Sequence, residues 1–272
     1  MKRFEKQFWQ GTLMFVAASL AALGLHWRWH ERLPEYASLS GWVLFGFMAL
    51  LALFNARKKL PFLPLGRAET WLQLHVYGGF FTAVLFLIHL NFRPPRGGFE
   101  ITLAALFAAV TLSGIAGLLL SRELPRRLQT RGGEVLYEKI PAIRHALKLE
   151  AEALALGSPG GSPIIAEFYG RRLAGFFAGP QHFWPHLQES RGPINRLLAD
   201  VNDLRRLLSE ADAKLLDRIA ELARQKDGLD YHQALQATLK LWLFVHLPFT
   251  YGLMLFTLWH IVLVFAYSGG AQ

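Results

Sequence analysis

The sequence predicts an all-α integral membrane protein, with five transmembrane helices and a helical cytoplasmic insertion between the fourth and fifth. Three observations carry this. Hydrophobic residues make up 53% of the 272, which leans towards a membrane composition. Several apolar runs approach the ~20 residues needed to cross hydrocarbon. Two of those runs repeat one device: His75 and His89 are fourteen residues apart, and so are His246 and His260, with no Asp, Glu, Lys or Arg between the first two. Fourteen residues return a helical side chain to nearly the same face, about 21 Å further along the axis.

The spans follow in order. Residues 8–27 are rich in Ala and Gly, which permit close helix approach, with Trp9, Trp27 and Trp29 at interfacial positions. The run MKRFEKQFWQ before them imitates a signal peptide, but the apolar stretch ends in HWRWH without a small-residue cleavage site, so a retained anchor is expected. Span 2, residues 39–55, is the shortest. Span 3 covers 70–92 and span 4 covers 99–120; together these four make a transmembrane region within 1–121. Residues 122–238 are largely polar, and 239–272 hold span 5 with a short tail. Lys and Arg number three before span 1 (Lys2, Arg3, Lys6) and four between spans 2 and 3 (Arg57, Lys58, Lys59, Arg67). The other short connections carry two each. The positive-inside rule then places the N-terminus and the polar segment in the cytoplasm and the C-terminus outside. Spans 3 and 5 run parallel, with His75 and His246 at the inner level and His89 and His260 at the outer level. A bacterial inner (plasma) membrane is the expected location.

Within the insertion, 134–156 reads as an amphipathic helix interrupted at Pro141, SPGGSP as a flexible break, and 195–208 with 211–225 as an antiparallel hairpin. Gly228 is expected to end the second helix and Asp230 to cap the next, which runs on into span 5. The aromatic and basic piece IIAEFYGRRLAGFFAGPQHFW either lies along the membrane surface or packs under the bundle.

An ionisable residue inside a span is costly and marks function by default. Two parallel helices with equal separations set the imidazoles in two pairs, one above the other. This suits axial ligation from both sides of two stacked haems, whereas a bare zinc or copper site needs its ligands clustered at one level. Gly78, Gly79 and Gly252 would let a porphyrin edge approach backbone. Gly114 and Gly117 serve either that purpose or helix packing. Phe86, Phe249, Phe256 and Trp259 offer apolar walls or ordinary bundle surface. Propionates would seek Arg67, Arg122 and Lys240 on the inner side and Arg28, Arg93 and Arg96 on the outer, unless these are only flanking charges. The absence of cysteine excludes disulfides, thiolate metal sites, cysteine-ligated clusters and thioether-attached haem. The net charge of +9 follows from basic loops around apolar spans, and nucleic acid is not an expected partner. His26 and His30 could bond a quinone or guide protons, or simply be solvated. His182, His186 and Glu189 have the spacing of a metal site, but Pro185 disturbs the helix it would need. His145 and His232 read as ordinary polar-segment residues.

The stretch LHVYGGFFTAVLFLIHL in span 3 resembles the histidine-bearing third helix of ferric reductase and NADPH oxidase membrane domains. The parallel paired-histidine helices also resemble cytochrome b of quinol-oxidising complexes. The resemblance covers spans 3 to 5. It implies a four-helix haem-binding bundle and two non-covalent haems b, one on His75 and His246 and one on His89 and His260, with irons about 20 Å apart. It further implies electron transfer across the membrane; a quinol/quinone pool on one face and a partner redox protein on the other are the expected donor and acceptor. The partners expected are membrane lipid and other subunits of a redox complex, such as a cytochrome or an iron–sulfur protein. The chain departs from those families by stopping after span 5, by lacking a flavin or nicotinamide domain and a glycine-rich dinucleotide fingerprint, and by its long insertion. An electron-transfer subunit of an oxidoreductase complex is therefore expected rather than an NADPH oxidase. Two alternatives stay open: a non-redox membrane protein whose histidines line a proton or metal-ion path, and a structural haem-containing membrane anchor.

Overall fold

The computed structural model describes residues 2–33, 35–55, 68–130, 135–157 and 162–268, and among these the fold is all-helical, without a strand. In chain order the helices are α1 (Lys2–Trp29), α2 (Tyr36–Ala52), α3 (Ala68–His89), α4 (Gly98–Thr130), α5 (Ile140–Leu156), α6 (Pro163–Phe168), α7 (Ala174–Ala178), α8 (Phe183–Leu187), α9 (Gly192–Arg205) and α10 (Glu210–Ser268). A single π turn, Tyr169–Leu173, joins α6 to α7. Among the described residues three helices are long and apolar enough to cross a membrane: α3, α4 and α10. The apolar α2 is shorter, at 17 residues. The basic cluster at 57–59, Arg67, the SPGGSP break up to its last two residues and the C-terminal tail lie outside the described residues.

Contacts divide the chain into two compact units, Met1–Leu119 with Trp242–Gln272, and Leu120–Leu241. The first unit draws its core from four helices: Leu44 and Met48 of α2, Leu85 of α3, Phe107 of α4 and Leu253 of α10. Phe86 stacks on Phe107 with ring centroids 4.0 Å apart. Helix α1 lies against α3 where Gly11 meets Tyr77; a Cβ on Gly11 would come within 2.5 Å of the ring. The outward side chains are apolar as well: Leu13, Leu119, Phe244, Leu255 and Phe265 are each more than half exposed. In water this would be a large uncovered patch, whereas hydrocarbon covers it at no cost. Helix α3 stops where Asn91 and Phe92 take left-handed conformations (φ 50° and 55°). Their N–H groups return to the Ile88 and Leu87 carbonyls, closing the helix end before Pro94 and Pro95.

The second unit has the core of a water-soluble helical domain. Ile140, Leu147 and Ala151 of α5 pack with Ile194 and Val201 of α9 and with Leu216, Ile219 and Leu222 of α10. Full burial of each such aliphatic side chain contributes roughly 1.5–3 kcal/mol. The aromatic piece, read as lying along the membrane surface or packing under the bundle, instead fills this unit's own core, where Tyr169, Phe176 and Phe177 are buried. Pro141 does not interrupt a helix; it sits in the first turn of α5, where its missing N–H has no partner to lose. The expected hairpin is formed by α9 and the start of α10. Ser209 accepts the Asp212 N–H and donates its hydroxyl to the Asp212 carboxylate, capping α10. Across the turn the Arg205 Nε–H bonds the Asp217 carboxylate at 2.9 Å.

The expected break at Gly228 does not occur, because α10 is continuous over 59 residues. Asp230 caps nothing. Its carboxylate, 2% exposed, binds the fully buried Lys226 one turn back and accepts the Gln181 N–H at 2.9 Å. Burial pushes the Lys226 ammonium pKa down and the Asp230 carboxyl pKa up, each partly offset by the partner's opposite charge. Asp230→Ala should therefore cost about 3–5 kcal/mol, because it strands a buried ammonium. Lys226→Met should cost less, since Asp230 keeps the Gln181 N–H and the Arg144 guanidinium 3.8 Å away. Thermal unfolding of the full chain in detergent measures both, and the double variant should recover much of the loss.

Candidate functional site

The four histidines singled out by spacing all lie in the first unit, two on α3 and two on α10. The structure brings them together in two pairs. His89 and His260 border one cavity of about 370 Å³, walled by apolar side chains including Leu44, Met48, Phe86, Phe107 and Leu253. They are also within electrostatic range of each other. His75 lies within electrostatic range of His246. All four are partly buried.

Each ring has its own seat. The His75 ring is tilted against Phe54, with centroids 4.6 Å apart, and its Nδ1 is buried with no hydrogen-bond partner. His246 stacks on Trp242 one turn earlier, at 5.5 Å, and its Nδ1 is 2.7 Å from the Ser113 hydroxyl. The Trp242 indole N–H donates to the Ser113 carbonyl at 2.7 Å. His89 Nδ1 is 3.2 Å from the Ser40 hydroxyl. His260 stacks on Phe99 at 6.2 Å.

The glycines divide into two kinds. A Cβ on Gly79 or on Gly252 would meet nothing within 4 Å, so backbone is open there, whereas on Gly78 it would come to 3.1 Å of Leu51. Gly114 faces His246 at 3.8 Å. Gly117 is filled by the Trp242 ring, whose nearest atom would be 1.9 Å from an added Cβ. Gly117 thus serves helix packing and leaves no room for a bound group.

These residues fit haem ligation. One imidazole from each of two helices borders an apolar cavity of ligand size, and backbone is open at Gly79 and Gly252. Of the cations expected to meet propionates, Lys240 is held by Glu138 at 2.9 Å. Arg28, Arg93, Arg96 and Arg122 are exposed, and Arg67 lies outside the described residues. Phe86 does border the cavity, while Phe256 and Trp259 line a separate surface groove with Phe99.

The remaining histidines sort differently. His26 is buried rather than solvated: it stacks on His30 at 4.7 Å and its Nδ1 is 3.2 Å from the Tyr36 hydroxyl. The metal reading of His182, His186 and Glu189 does not hold. His182 sits in the left-handed region before α8, and Glu189 is committed to Arg127 at 2.8 Å. Among the described residues no group of three or more His, Asp or Glu side chains is placed to hold a metal ion. His145 is exposed and His232 buried.

Ser40, Gly41, Ser113 and Trp242 escaped the sequence reading. The one signal that could have found the first three is the tripeptide Leu-Ser-Gly, at 39–41 and again at 112–114, inside two apolar helices. Compared with protein-family models, curated proteins and solved structures, the chain matches none.

Proposed function

We propose that the chain is a dihaem b-type cytochrome subunit that carries electrons across a membrane between a quinol/quinone pool and a partner redox protein. The observation that carries this reading is the apolar cavity bordered by His89 of α3 and His260 of α10. Two imidazoles from different helices at one apolar cavity suit bis-histidine ligation of a flat macrocycle. His75 and His246, on the same two helices and within electrostatic range of each other, suit the same arrangement at a second level. Bound haem supplies reversible one-electron chemistry. The protein's own part is to fix the orientation of the imidazoles and exclude water with Leu44, Met48, Phe107 and Leu253.

In this reading α1 and α2 join α3, α4 and the apolar end of α10 as five spans of a bacterial inner membrane, N-terminus inside. Residues 122–238 then form a cytoplasmic platform for partner subunits. The ion-path alternative is disfavoured by the hydroxyls around the histidines. Ser40, Thr82, Ser113 and Thr257 each give their proton to a carbonyl of their own helix, Ala37, Gly78, Val110 and Leu253 in turn, so none is free to pass a proton on.

Proteoliposomes holding trapped ferricyanide, given a water-soluble quinol outside, test the reading. Haem-loaded protein should reduce the ferricyanide, and His89→Ala should abolish this. Equal reduction by protein-free vesicles and by the His89→Ala variant would sink it.

A further inference from the structure

The imidazoles of His89 and His246 sit in matching seats. Ser40 donates its hydroxyl proton to the Ala37 carbonyl three residues back at 2.9 Å, and the same oxygen is 3.2 Å from His89 Nδ1. Ser113 donates to the Val110 carbonyl at 2.9 Å and stands 2.7 Å from His246 Nδ1. The following residue is glycine in both cases. A Cβ on Gly41 would come to 3.0 Å of His89 Cε1, and one on Gly114 to 3.8 Å of His246 Cε1. Thus α2 holds a ring of α3, and α4 holds a ring of α10, with the same two residues in the same order.

A hydroxyl has one proton and two lone pairs. With that proton given to a carbonyl, the serine oxygen can only accept from the imidazole. The ring must then carry its proton on Nδ1, and Nε2 is left with an exposed lone pair. We propose that Ser40 and Ser113 are positioning residues that lock His89 and His246 as Nδ1–H tautomers and present Nε2 as the ligand atom, with Gly41 leaving the room that the His89 ring needs. One seat serves each pair. His75 has no such partner at Nδ1, so each pair contains one ring oriented in advance by a serine. The hydrogen bond also makes the ring a stronger donor through Nε2, an effect that favours the oxidised metal.

The tautomer part stands without any cofactor; the effect on potential rests on the dihaem reading. Imidazole ¹⁵N NMR of the haem-free full chain in nanodiscs, with assignments from His89→Gln and His246→Gln, decides the first. Both rings should be Nδ1–H, and Ser40→Ala or Ser113→Ala should release only its own histidine into a tautomer mixture. Nε2–H rings in the unmodified chain would overturn the proposal. In haem-loaded protein each alanine variant should keep its haem content. It should shift one midpoint potential upwards, by up to about tenfold in the reduction equilibrium, or 59 mV for one electron. Ser40→Ala should move the haem that His89→Ala removes, and Ser113→Ala the other. Ser→Thr at either position, which restores the hydroxyl, should bring the potential back. Unmoved potentials, or a shift that threonine fails to reverse, would overturn the serines' role at the ligand. A chain that takes up no haem fails the functional reading while the NMR arm still decides the tautomers.

Discussion

On the proposed dihaem reading, His260→Ala should leave one haem b per chain where the unmodified protein is expected to carry two, and His89→Ala should remove the same one. Both side chains border a single cavity, so either loss takes away an axial ligand of one macrocycle. His75→Ala and His246→Ala should remove the other haem, since those two histidines repeat the fourteen-residue spacing on the same two helices and lie within electrostatic range of each other. The four single variants therefore fall into two spectral classes of two. Pyridine-haemochrome quantitation per chain, with low-temperature α-band spectra, reads both number and class. Loss of both haems from every variant would mean that the pairs do not act as separate sites.

Gly117→Ala should be far more damaging than one methyl group suggests. The new Cβ would stand 1.9 Å from the Trp242 ring, well inside contact distance, so the indole has to leave. Leaving breaks its bond to the Ser113 carbonyl and removes the ring on which His246 stacks. Overpacking of this kind costs about 1–3 kcal/mol, and an indole N–H stranded in apolar surroundings roughly 1–3 more. We expect a thermal midpoint lowered by several degrees and weakened haem binding at the His75 and His246 pair, with the other haem retained. Gly114→Ala, whose Cβ would meet His246 only at 3.8 Å, is the matched control and should be close to silent. Detergent thermal melts combined with haem counts separate the two.

The apolar helices were legible because a membrane-length run needs only composition and length, and α3, α4 and α10 supply both. The placing of His89 and His260 at one cavity was legible because the helical spacing repeats on α3 and α10. Helix ends were harder. Gly228 reads as a stop since glycine costs a helix about 1 kcal/mol, but Leu222, Ala223, Lys226 and Leu229 on either side of it are buried, and that packing carries α10 through. Helix α4 likewise runs past the end of its apolar stretch to Thr130 because Leu124 and Leu128 pack with Tyr231 and Leu235. Ser40 and Ser113 were invisible for another reason. Small residues in a membrane helix are usually there for close packing, and only the third dimension puts an imidazole beside them.

A reduced-minus-oxidised optical spectrum of the purified, fully loaded protein, with pyridine-haemochrome quantitation, tests the dihaem proposal. Haem b at two per chain is the expected result. A folded preparation that takes up none would contradict it and leave the ion-path alternative standing.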